Sequence, residues 1–316
     1  MARPAPDQVR RVGVIGTGLI GGAWAALFLS RALEVSASDP SPNGEESLRA
    51  MIARGWPVLE KMGLAPGADP ERFTFNTDPV KAVEGCQFVQ ESAPEKEDVK
   101  AALVASLEAG LDPDIVIASS ASALLPSKIQ ARCKHPERVI VGHPFNPPYL
   151  IPLVEVVGGA KTAPETLDWA AAFYTNCGKR ALKLKKEIAG FVANRLQGAV
   201  YREIINLARM DIASMADIDA AMSQGPGLRW AVMGPSLNFH LARRTGFWDF
   251  IDSFPNEFNT YDLADGKTTV DPDTRKRMVD GVVEATGGRS NDALAHERDK
   301  AIIDLIATLR GRDLPE

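Results

Sequence analysis

His143 is one of four histidines in a chain of 316 residues, and it stands in the run His143-Pro144-Phe145-Asn146-Pro147. A neutral imidazole accepts a proton near neutral pH, which suits it to taking a hydroxyl proton while hydride leaves the same carbon. Such a base needs a partner on its other ring nitrogen, to fix the tautomer and steady the imidazolium. Glu155 meets that need. It is the single charge in the apolar run 153–157, where a carboxylate is costly to bury unless paired. Ser122, at the end of Ser119-Ser120-Ala121-Ser122, brings a hydroxyl able to hydrogen-bond the oxygen that becomes a carbonyl. A strand-end cap is its plainer use. Asn194 brings an amide for the same oxygen or for the imidazole; an exposed helix position is its plainer reading.

Hydride needs an acceptor, and residues 11–22, RVGVIGTGLIGG, offer the place for one. Val12, Val14 and Ile15 suit a buried strand. Gly16, Gly18 and Gly21 follow at G-x-G-x-x-G spacing, with Leu19 and Ile20 opening a helix over 19–31. The first glycine permits a sharp turn, the second a close approach of pyrophosphate, the third tight helix–strand packing. The phosphates would sit on the helix N-terminal N–H groups. A second strand, 34–38, ends at Asp39, 18 positions after Gly21 and suited to a ribose 2′-hydroxyl. Pro40-Ser41-Pro42 brings no cation for a 2′-phosphate, so the cofactor expected is NAD and not NADP. Ala32 stands where a glycine would usually stop the helix.

The elements that position these residues alternate: strands near 73–75, 88–90, 115–119, 138–142, 153–157 and 181–185, with helical stretches between them. That rhythm predicts an α/β fold with a Rossmann-like doubly wound sheet, whose ligands lie beyond the carboxyl ends of the strands. Ser122 and His143 both follow strand ends. From 187 onward the pattern turns helical, over 190–210 and 215–224, then a glycine- and proline-punctuated loop over 225–235, then helices broken near Pro255 and Gly287-Gly288. The boundary is placed at 187, giving a nucleotide-binding domain over 1–187 and an all-helical substrate and dimerisation domain over 188–316. Broad apolar helix faces of this kind favour a homodimer.

Composition narrows the class. Hydrophobic residues at 45% and charged residues at 24% are ordinary for a globular protein. A net charge of −5 argues against a nucleic-acid partner. No apolar run is long enough for a membrane span, and the first eleven residues lack the apolar core of a signal peptide. Cys86, Cys133 and Cys177 are scattered and unpaired in spacing, which points to reduced thiols in a cytoplasmic protein with no metal site.

In order and spacing, the glycine loop, Ser120-x-Ser122, His143-Pro-Phe-Asn-Pro, Glu155 and Gly190-Phe-Val-Ala-Asn-Arg-Leu resemble the L-3-hydroxyacyl-CoA dehydrogenase superfamily over about residues 11–234. The resemblance implies a catalytic set of Ser122, His143, Glu155 and Asn194. It implies that Glu95 and Lys100 contact the nicotinamide side of NAD, that Ser122 also binds the cofactor, and that a helical dimerisation domain follows the Rossmann-like one. Gly21-Gly-Ala-Trp-Ala, the run 143–155 and Gly227-Leu-Arg-Trp-Ala-Val-Met-Gly are most similar to the stand-alone enzymes of small free 3-hydroxy acids. Within these the carnitine branch comes first and the gulonate branch (lambda-crystallin) next. The acyl-CoA enzymes, including those acting on 3-hydroxybutyryl-CoA, are the alternative. Ala123 departs from the glycine that carnitine enzymes tend to carry. Two other readings compete: a lysine-dependent β-hydroxyacid dehydrogenase, against which the His143/Glu155 pair argues, and a non-catalytic NAD-binding protein.

The expected substrate is a short charged 3-hydroxy acid. Arg229 can grip a carboxylate through two hydrogen bonds, or form a surface ion pair instead. Trp230, Phe145, Tyr149 and Phe191 offer ring faces to a trimethylammonium group, although aromatics near a domain junction more often pack a core.

Overall fold

The computed structural model describes residues 3–242 and 270–309, together with Phe247, Phe250, Asp252, Tyr261 and Leu263. Eight strands form one sheet: β1 (Arg11–Ile15), β2 (Glu34–Ser38), β3 (Phe73–Phe75), β4 (Phe88–Glu91), β5 (Ile117–Ser119), β6 (Val139–Pro144), β7 (Leu153–Gly158) and β8 (Arg180–Lys183). Their order is β3-β2-β1-β4-β5-β6-β7-β8, parallel throughout except for the antiparallel β6–β7 pair. The first six strands thus have the 3-2-1-4-5-6 order of dinucleotide-binding folds. Helices α1 (Leu19–Ser30), α2 (Gly44–Met62), α3 (Pro79–Ala82), α4 (Glu97–Leu107), α5 (Pro126–Ile129) and α6 (Pro164–Asn176) connect them.

The core has two sides because strand side chains alternate. Phe88 of β4 points to one face, where it meets Phe173 at 4.3 Å and Tyr174 at 5.6 Å between ring centroids, with Phe28 beside them. Its neighbour Val89 points to the other face, into a cluster with Val104 and Leu107 of α4, Ile117, Val141 and Phe191. Ala32, after α1, takes the left-handed conformation (φ 60°) that a glycine would take more cheaply. Lys179 is buried just before β8, where its Nζ donates to the carbonyls of Pro148 (2.8 Å) and Ile151 (2.5 Å). It thereby ties down the segment joining β6 to β7. Burial pulls this ammonium down to about 7, against the opposing pull of Cys177.

The chain divides into two compact units, Met1–Asn194 and Arg195–Glu316. Residues 188–194 lie with the first, beyond the expected boundary at 187. The reason is local: Phe191 is buried in the first unit's core, and the N–H groups of Val192 and Ala193 are held by Glu155.

Beyond residue 194 every described element is helical. Helix α7 (Ala193–Arg209) begins at the junction and is followed by α8 (Met215–Gln224), α9 (Pro226–Val232) and α10 (Pro235–Leu241), then Pro272–Ala285 and Asn291–Leu309. The expected loop over 225–235 therefore holds a short helix, α9, and the first residue of α10. Pro226 and Pro235 open them, since the first helical position needs no N–H and proline's fixed φ suits it. Gly287 and Gly288 sit just past the helix that ends at Ala285, both at positive φ. Pro255 lies outside the described residues. No described helix is long and apolar enough to cross a membrane.

Candidate active site

The β6–β7 register sets His143 directly opposite Glu155. Directly opposed residues of an antiparallel pair share a face, so the two side chains meet across the ladder. His143 Nδ1 lies 2.8 Å from Glu155 Oε2, with His143 3% exposed and Glu155 fully buried. The other carboxylate oxygen accepts the N–H groups of Val192 (2.9 Å) and Ala193 (3.0 Å), where α7 begins. Gly190 (φ 74°) and Phe191 (φ 48°) make the left-handed turn that aims those donors inward. Burial pushes the Glu155 carboxyl up, but His143 and the two N–H donors outweigh it and hold the group below its ordinary range. Glu155 is therefore ionised, and the proton between the pair belongs on Nδ1, leaving Nε2 as the ring's acceptor. Phe145, at 5.0 Å, and Phe191, at 5.4 Å, flank the imidazole.

Ser122 is exposed beyond the carboxyl end of β5, and its backbone is held on both sides. Glu95 Oε1 accepts the N–H groups of Ser122 (2.9 Å), Ala123 (2.9 Å) and Leu124 (3.3 Å). Asn194 Nδ2 donates to the Ser122 carbonyl at 3.3 Å. The geometry thus links Ser122, Asn194 and Glu95 through hydrogen bonds, and His143 to Glu155 through another.

The glycine loop fits a dinucleotide. A Cβ on Gly16, which has φ 89°, would stand 2.7 Å from the Ser92 carbonyl oxygen; one on Gly21 would stand 1.7 Å from that of Gly16. Both glycines are thus required by the protein itself. Gly18 is different: no atom lies within 4 Å of a Cβ built there, so the space it leaves faces outward. Gly18 is the N-cap of α1, whose first turn has no side-chain cap and no acidic residue, and Leu19 and Ile20 are its first two residues. Such an N-terminus suits an anion. Asp39 accepts the Thr17 N–H (2.9 Å) through one oxygen and the Ser41 N–H (2.9 Å) through the other, which fixes its carboxylate beside the loop.

The other expected residues differ in exposure. Lys100 is 1% exposed, and its Nζ binds both oxygens of Glu91 (2.9 and 3.1 Å) and the Ser119 hydroxyl (3.4 Å), instead of pointing into open space. Tyr149 is buried with its ring against Gly55 of α2, a core position dictated by packing. Arg229 and Trp230 sit on α9 in the second unit, Arg229 exposed and Trp230 half-buried.

A polar layer beneath the site escaped the sequence reading. Tyr174 donates to Gln90 (2.6 Å), Gln90 donates to Ser120 (2.9 Å), and Ser120 meets Ser92 (2.8 Å). Its signal was present in Gln90-Glu91, two polar residues closing a strand otherwise fit for burial on both faces.

Residues 11–188 match the model of the 3-hydroxyacyl-CoA dehydrogenase NAD-binding domain, and residues 190–280 that of the 3-hydroxyacyl-CoA dehydrogenase C-terminal domain. The chain is 47% identical to an L-carnitine dehydrogenase of Streptomyces griseus subsp. griseus over 308 residues, covering 96% of this chain and 90% of that one. It is 44% identical to an L-carnitine dehydrogenase of Streptomyces coelicolor over 313 residues, covering 99% and 98%. Among solved structures, 5-formyl-3-hydroxy-2-methylpyridine 4-carboxylic acid 5-dehydrogenase, an NAD+-dependent dismutase, superposes with a TM-score of 0.82. That protein is 29% identical, and the match covers 97% of this chain and all of that one. With both domain models matched in order along the chain, the protein belongs to the 3-hydroxyacyl-CoA dehydrogenase family and is an NAD-dependent oxidoreductase of that family.

Proposed function

We propose that the protein oxidises the 3-hydroxy group of L-carnitine to 3-dehydrocarnitine. When bound over the glycine loop, with Asp39 on its ribose, NAD supplies the hydride acceptor. His143 Nε2 takes the hydroxyl proton, and ionised Glu155 stabilises the imidazolium that forms. Ser122 and Asn194 hold the reacting oxygen. Glu95, which braces the Ser122 backbone, would hold the nicotinamide side of NAD. The observation that carries this reading is the 2.8 Å contact between His143 Nδ1 and a buried carboxylate held ionised by two further N–H donors.

The choice of substrate is supported by 40–47% identity to several L-carnitine dehydrogenases over nearly the whole chain. It is supported also by Phe145, a half-buried ring 5.0 Å from His143 whose face attracts a quaternary ammonium, whereas the expected Phe191 ring is fully buried in the core. Arg229 is assigned to the carboxylate and Trp230 to the ammonium on their chemistry. We place the protein in the cytoplasm, as a homodimer.

The test is a panel of L-carnitine, L-gulonate and 3-hydroxybutyryl-CoA, each with NAD, followed by NADH absorbance. L-Carnitine is expected to give the highest kcat/KM. A lead by the thioester or by gulonate overturns the substrate assignment and leaves the reaction type standing.

A further inference from the structure

The segment that turns the chain from β6 back into β7 is short of donors of its own. Residues 144–152 read Pro-Phe-Asn-Pro-Pro-Tyr-Leu-Ile-Pro, so four of the nine lack an N–H. Two of the five N–H groups that remain, on Leu150 and Ile151, both go to the Pro147 carbonyl at 3.0 Å. Other buried carbonyls of the segment must find donors outside it. The Arg180 N–H supplies one, to Pro152 (2.8 Å), and the Lys179 ammonium supplies two, to Pro148 (2.8 Å) and Ile151 (2.5 Å). Lys179 is 6% exposed, and no carboxylate among the described residues pairs with it. Its Nζ also lies 5.3 Å from the ring centroid of Trp24, which is fully buried on α1 and packed on Phe28 and Tyr174. Burying an ammonium without a counter-charge is costly, and an apolar side chain of similar length would avoid that cost. What lysine adds is a pair of donors fixed in the core.

We propose that Lys179 is a positioning residue for the substrate: by holding the Pro148 and Ile151 carbonyls it sets the Phe145 ring beside His143, where that ring receives the ammonium of L-carnitine. The inference rests on the substrate reading above. Phe145 lies three positions before Pro148 and just beyond the last pair of the β6–β7 ladder, Pro144 with Val154. No ladder therefore fixes its half-buried ring, and the turn that follows must do so. His143 is held independently, by the ladder and by Glu155. Releasing the turn thus moves the ring and leaves the base in place. The loss should fall on binding of the cationic end of the substrate, and not on proton transfer.

The experiment compares K179M, F145L and K179M/F145L in the full chain. It measures kcat and KM with NAD for L-carnitine and for its carba analogue, in which carbon replaces the ammonium nitrogen, and NADH affinity by fluorescence titration. K179M is expected to raise KM for L-carnitine at least about fivefold, with KM for the carba analogue, kcat and NADH affinity all within about twofold of the parent. F145L should show the same selective rise. The double variant should be no more than about twofold worse than F145L, because a ring already removed cannot be displaced. Equal losses on the two substrates, a fall in kcat alongside, or additive losses in the double variant would overturn the proposal in favour of a purely structural lysine. K179Q, whose neutral amide is one bond shorter and reaches at most one carbonyl, takes the place of K179M if that variant fails to fold. Its selective rise in KM should be at least about threefold, and the same results overturn the proposal. F145L separates the two levels. If it treats both substrates alike, the assignment of Phe145 to the ammonium falls and the proposal with it; if it discriminates and the Lys179 variant does not, only the role of Lys179 falls.

Discussion

Glu155 divides its oxygens between two tasks, one holding the start of α7 and the other facing an imidazole. Glu155→Gln tests that division. Its carbonyl oxygen can keep the Val192 and Ala193 N–H groups, which turns its amide nitrogen toward His143. An amide N–H there donates to Nδ1, moves the ring proton to Nε2 and blocks the base. The expected result is a kcat lowered by about a thousandfold or more with KM little changed. The same group makes stability depend on pH. Its folded-state pKa lies below its ordinary 4.5, so its contribution is complete above that value and is lost as pH falls through the folded one. The gap in thermal midpoint between wild type and E155Q should therefore shrink on acidification below 4.5. A gap that widens in acid contradicts the ionised, hydrogen-bonded carboxylate.

At the scale of elements, the glycine loop separates what folding needs from what binding needs. Gly16 and Gly21 are demanded by carbonyls a few ångströms away, whereas Gly18 meets nothing. Gly18→Ala, at φ −66°, should fold with a thermal midpoint close to the parent's. It should nonetheless weaken NADH binding about tenfold, because the new methyl occupies the space through which pyrophosphate approaches. Unchanged NADH affinity would place the dinucleotide elsewhere. This loop was legible in the sequence because each glycine answers a local backbone requirement, and the strand before it is β-branched. His143 and Glu155 were legible because a histidine at a strand end and a carboxylate inside an apolar run have few inexpensive explanations. The antiparallel direction of their two strands was not, since it depends on how the 145–152 segment folds back. The helix at 226–232 reads as loop in the sequence because proline and glycine punctuate it, and only context decides whether proline opens a helix or ends one. Tyr149, Phe191 and Lys100 are residue types suited to a ligand site, yet the structure buries all three; exposure is a tertiary property that residue type does not reveal.

Over the whole molecule, the two units differ in how well they bury themselves. The second gathers a small described core around Ala208, Met215 and Ile218, while Leu196 at 62% and Tyr201 at 55% stand exposed on α7. Apolar surface of this kind supports the proposed homodimer. Light scattering should report twice the 34.0 kDa chain mass, and a single-chain mass at micromolar concentration would contradict the dimer. On the proposed reading, catalysis depends on one proton acceptor, His143. The decisive measurement is turnover of His143→Ala on L-carnitine with NAD, beside an NADH titration of the same sample. A kcat reduced by about a thousandfold with NADH affinity intact is the predicted result, while near-normal turnover would contradict the account.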